Sequence, residues 1–180
     1  MVTSIELEQQ LVLRLDREAK KHWDGIIEKM QEMANNFDIK EIEEKSPFRN
    51  VLNVATEANS SLEVIKNFIR YQVGRQGSNK IWKTTKNKQL FADAVVGQID
   101  DLLKYSQEMV GAIAKDINEK MEGFPEKSTE KQLLLNLKER LEKNRTDLIR
   151  SQHLKLTQLY LGYLSREHTA LLGEKKSGVK

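Results

Sequence analysis

Arg70, Tyr71, Arg75, Lys80, Trp82 and Lys83 fall within one stretch, FIRYQVGRQGSNKIWK (residues 68–83), which joins two helical patterns through Gly74, Gly77, Ser78 and Asn79. Arg49 and Lys66 precede it, and Lys86 and Lys88 follow. Residues 46–92 hold eight cations against two carboxylates, so most of the positive charge lacks a local acidic neighbour and its field reaches outward. On a helical wheel Leu62, Ile65, Ile69 and Val73 share one face. Lys66 and Arg70 lie one turn apart on the open side, and Tyr71 and Arg75 sit four residues apart on the opposite flank. Cations paced along a helix and turn, with Tyr71 and Trp82 able to stack on bases or riboses, supply what sequence-independent contact with an RNA or single-stranded DNA backbone needs. The same residues also describe a solvated basic face with Tyr71 and Trp82 turned into the core, and the sequence leaves both open.

Other chemistry finds little support. Gly74-Arg75-Gln76-Gly77 matches the GxxG loop that clamps a nucleic-acid backbone in K-homology domains, but neither flank reads as the strands that fold requires. A phosphate-binding P-loop fails because its lysine must follow the second glycine directly, whereas Lys80 follows Asn79. His22, His153 and His168 lie far apart and lack the Glu-x-x-His spacing of helical metal sites, and Glu18 and His22 read as a surface pair one turn apart. With no cysteine and no serine or threonine in a nucleophile-elbow context, the chain is expected to be non-catalytic and to hold no metal or cofactor.

The elements that position the basic stretch read as helices. Only two prolines and nine glycines interrupt 180 residues that are 32% charged, a composition that favours helix over strand. Thr3-Ser4-Ile5-Glu6 fits a capping box, and the stripe Leu7, Leu11, Leu15, Ala19, Trp23, Ile26, Met30, Met33 predicts one first helix of about thirty residues. The acidic run 41–45 ends it. Ser46-Pro47 caps a short second helix, and Ser60-Ser61-Leu62-Glu63 caps a third that runs into the basic stretch. A fourth starts near Trp82–Thr85 and extends to Met121, with Gly97 and Gly111 inside it as candidate close-crossing points. After Gly123-Phe124-Pro125, a fifth runs from Ser128 past Leu171, interrupted on its stripe by Asn144, which reads as either an exposed turn or a register-setting polar residue. The expectation is an all-α, single-domain bundle of about five helices over 1–172, the first, fourth and fifth of them long, with a frayed tail at 173–180. No apolar run approaches the roughly 18 residues of a membrane span, so no membrane partner and a cytoplasmic location are expected.

Ser46-Pro47-Phe48-Arg49-Asn50-Val51-Leu52, followed by Phe68-Ile69-Arg70-Tyr71-Gln72-Val73-Gly74-Arg75 and Trp82, resembles the order of elements in the small all-helical subunits of type III CRISPR effector complexes, over residues 46–103. That resemblance implies a non-catalytic subunit of an antiviral RNA-guided complex, stacking beside other subunits and copies of itself and steadying guide and target with a basic face. It makes Arg49, Arg70 and Arg75 the first candidates for phosphate contact, with Lys80 and Lys83 behind them. The acidic blocks 1–45 and 93–126 would then dock basic neighbours. The alternative is a helical protein-interaction module or homodimeric adaptor that binds no nucleic acid.

Overall fold

The computed structural model describes residues 4–42 and 46–178, so Thr3 of the expected first cap and residues 43–45 of the acidic run lie outside the described residues. The all-α class holds, with seven α-helices among the described residues, two 3-10 turns and one two-stranded hairpin. The contacts sort into two compact units, each assembled from two segments: Met1–Asp24 with Leu103–His153, and Gly25–Leu102 with Leu154–Lys180.

The first unit contains α1 (Ser4–Lys20), the later part of α5 (Phe91–Glu122), α6 (Thr129–Lys143) and the start of α7 (Arg145–Ser177). Leu11, Leu15 and Ala19 recur every fourth residue on α1 and are buried, as are Met109, Val110, Ile113 and Ile117 on α5 and Leu137 and Leu141 on α6. Helix α1 packs against α6. The Ser128 hydroxyl caps α6 by accepting from Lys131 N at 3.1 Å.

Helix α1 stops at Lys20, and α2 (Trp23–Asn36) begins after a turn closed by Lys21 N to Glu18 O and His22 N to Ala19 O, both 3.0 Å. The expected single first helix is therefore two. Its apolar stripe keeps helical spacing across the break, which is why periodicity gives no sign of it. Glu18 is buried and bonds Lys21 Nζ at 2.7 Å, while His22 tilts against the Tyr105 ring. The expected Glu18–His22 pair is replaced by these contacts. The expected fifth helix also divides at Asn144, which ends α6 with its Nδ2 donating to Arg140 O at 2.9 Å. Of the two readings of Asn144, the structure shows the turn. Helix α7 then continues to Ser177, through most of the expected tail.

The second unit is organised around aromatic rings. Phe37, Phe48, Trp82 and Phe91 are buried, with Trp82 and Phe91 centroids 5.5 Å apart and the Phe48 ring edge-on to both Trp82 and His168. Helix α3 (Arg49–Thr56) packs on α4 (Leu62–Gly74). Ser61, one residue later than the expected capping box, accepts from Val64 N at 3.3 Å. Ser46 does not cap α3; its hydroxyl lies 3.3 Å from that of Ser165. A 3-10 turn (Lys80–Lys83) and the hairpin β1 (Thr85–Lys86) and β2 (Gln89–Leu90) lead into α5. Asn87 and Lys88, both at positive φ, form the two-residue hairpin turn. A Cβ added at Gly97 or Gly111 would meet nothing within 4 Å, so neither is a close-crossing point.

Candidate nucleic-acid interface

All ten residues singled out from the sequence lie in the second unit, and its local structure sorts them into three groups. Arg49, the first residue of α3, and Arg75, immediately after α4, line one cleft of about 530 Å³ together with Asn50, Gln72, Ser78 and Asn79. Among the described residues, no carboxylate lines this cleft. The loop beneath it is held by the end of α4: the Ser78 hydroxyl lies 2.6 Å from Gln72 O and 3.1 Å from Arg75 O, and Lys83 Nζ donates to Arg75 O at 3.2 Å. These donors satisfy carbonyls that a helix C-terminus leaves without partners. Gly77, at φ +73°, supplies the left-handed residue the turn needs.

Lys80 and Lys86 line a second cleft, which shares Asn79 with the first but also contains Asp38 and Glu41. Lys86 bonds Asp38, and that hydrogen bond holds the Asp38 carboxyl below the usual carboxylate range. Lys86 is thus neutralised within the protein. Lys66 is too: it pairs with Glu63 at 2.6 Å and Asp100 at 3.0 Å, and the Glu63 hydrogen bond leads the interactions that raise its ammonium above its ordinary value. Both residues are corrected from open phosphate ligands to ion-pair partners.

Arg70, Tyr71, Lys83 and Lys88 are exposed. Among the described residues, no carboxylate pairs with Arg49, Arg70, Arg75, Lys80, Lys83 or Lys88. Tyr71 is 55% exposed with its ring 6.1 Å from that of Phe68, leaving a face open to a base. Trp82 is 1% exposed and has no such face; it is corrected from stacking residue to core residue. Its inward packing serves the site differently, by fixing the 3-10 turn that carries Lys80 and Lys83. Asn79 reinforces that turn, its Oδ1 accepting from Ile81 N at 2.9 Å.

The sequence reading did not pick out Gln72 or Thr169 as wall residues of the first cleft. Gln72 carried a readable signal, being a polar residue three positions after Ile69 on the buried side of α4. Thr169, nearly a hundred residues further along, carried none. No group of three or more histidine or carboxylate side chains placed to hold a metal occurs among the described residues, and none of their helices is long and apolar enough to cross a membrane. No protein-family model matches the chain, and neither the curated proteins nor the solved structures contain one that matches it.

Proposed function

We propose that the protein is a non-catalytic, nucleic-acid-associated structural subunit that contacts a single-stranded backbone through the basic surface of its second unit. The observation carrying this reading is the set of six cations, Arg49, Arg70, Arg75, Lys80, Lys83 and Lys88, that have no carboxylate partner among the described residues. Unpaired surface cations keep their field for an external anion, and each phosphate they neutralise releases condensed counterions. Tyr71 adds one stacking face. The resemblance to small CRISPR effector subunits is consistent with this role and names the kind of assembly in which it would operate.

Labelled single-stranded RNA and DNA titrated at about 50 mM salt test the proposal, because electrostatic contact is strongest there. Binding with a log–log salt slope that decreases by about one for each cation removed is expected. Undetectable binding at that salt concentration would remove the mechanism. A second reading, a protein-interaction module, is favoured by Ile5 and Leu13 on α1, which are 67% and 69% exposed. A concentration-dependent dimer without nucleic-acid affinity, abolished by Leu13→Glu, would select it.

A further inference from the structure

Within the basic surface, the cleft between Arg49 and Arg75 differs from the rest in having a built wall. Gln72 is 4% exposed, lines the cleft, and its Nε2 has no hydrogen-bond partner among the described residues. A buried amide donor without an acceptor is destabilising, and native proteins rarely keep one without a ligand or water to satisfy it. Among the described residues, the two guanidinium groups that border the same space have no carboxylate partner, and the remaining polar wall is made of neutral amide and hydroxyl groups. The charge balance favours a dianion over a monoanion. A phosphodiester carries one negative charge, whereas a phosphate monoester carries between about 1.5 and 2 at neutral pH, with oxygens that suit the planar fork of arginine.

We infer that this cleft seats the phosphate monoester of a nucleotide, either free or at the 5′ end of a strand. Arg49 and Arg75 neutralise the dianion, and a rotation of the Gln72 terminal amide gives its orphan N–H an acceptor. The inference deepens the reading above, and rests on it for taking a nucleotide as the source of the phosphate. The exposed Arg70 and Lys88 lie outside the cleft and serve the passing backbone instead.

The test compares a short 3′-labelled RNA carrying a 5′-phosphate with its 5′-hydroxyl twin at about 150 mM salt, where diffuse contacts are weakened. Adenosine monophosphate and inorganic phosphate are titrated separately by calorimetry. The phosphorylated strand is expected to bind about tenfold tighter, as one well-made charge-assisted contact allows. Arg49→Gln and Gln72→Met should each abolish that preference, and Arg49, being exposed, can be changed without threatening the fold. Arg70→Gln should weaken both strands equally and keep the preference.

Equal affinity for the two strands in the unaltered protein overturns the inference while leaving the backbone-binding reading intact. A preference that survives both Arg49→Gln and Gln72→Met also overturns it. Adenosine monophosphate binding that Arg49→Gln abolishes, without affinity for either strand, supports the cleft and identifies the free nucleotide as its source, while removing the strand-binding reading. Inorganic phosphate binding as tightly as the nucleotide, or a phosphoserine peptide binding tighter than the phosphorylated strand, overturns the assignment to a nucleotide.

Discussion

The two units differ in where their unpaired cations gather. In the first, most cations meet carboxylates: Arg14 and Lys120 both engage Asp116, Arg140 engages Glu8, Lys131 engages Glu126 at 2.6 Å and Arg145 engages Glu142 at 2.9 Å, while Lys20, Lys127, Lys138, Lys143 and Arg150 have no such partner among the described residues. In the second, Lys66, Lys86 and Lys175 are paired, while six further cations around the turn after α4 have no such partner among the described residues. Exposed pairs of the first kind contribute little to stability, typically below about 1 kcal/mol, but they cancel the long-range field. What sets the second unit apart is that six unpaired cations gather around one turn.

The largest effect that would sharpen this contrast concerns how the unpaired surface is held. Trp82→Ala removes a buried ring from the aromatic cluster and is expected to cost about 3–5 kcal/mol, read as a lower urea midpoint. Tyr71→Ala, at an exposed position, should stay within about 0.5 kcal/mol in the same assay. A small effect at Trp82 would mean that the turn carrying Lys80 and Lys83 does not depend on the core. Next, Arg49→Glu with Arg75→Glu should weaken strand binding by at least about tenfold, about 1.4 kcal/mol, whereas Arg140→Glu in the first unit should leave it unchanged. Equal losses would erase the distinction between the units.

A third prediction concerns His168. Burial pushes its imidazole pKa down, against the opposing effect of its hydrogen bond to Ile42 O at 3.0 Å, which Nε2–H donates. A folded pKa below the unfolded value means that the neutral ring's contribution is fully present above the unfolded pKa of about 6.5 and is lost as pH falls through the folded value. Urea midpoints should therefore fall from pH 7.5 toward pH 5, and His168→Phe should flatten that segment of the profile. The smallest change is a gain: Gly97→Ala meets open space inside α5 and should stabilise by up to about 1 kcal/mol.

The sequence revealed the helical class and the location of the basic stretch because both follow from spacing and composition. The breaks were harder to see. The stripe through Leu15, Ala19, Trp23 and Ile26 passes through the turn at Lys21 and His22 without losing phase, and only the backbone bonds that close that turn reveal it. Asn144 did interrupt its stripe, and the helix ends there. The hairpin was missed because Asn87-Lys88 lacks the glycine that usually marks a two-residue turn.

At the site, Arg49, Arg70 and Arg75 stood out through local charge imbalance; the fate of Lys86 depended on Asp38, remote in sequence, whereas Lys66 pairs first with Glu63 one turn away, a partner the helical spacing already offered, and then with remote Asp100. Trp82 could not be assigned from the sequence because a ring among lysines reads equally as stacker or anchor. The 3-10 geometry decides for the core.

Each unit is made of two stretches separated by dozens of residues, and α7 closes both. In the second unit, His168 against Phe48 and Gln158 Nε2 on Ala55 O at 2.8 Å stitch the last stretch to the earlier one. During synthesis, the aromatic nest would wait on the ribosome with one side bare until that final helix emerged. No single cut could release either half as an intact piece.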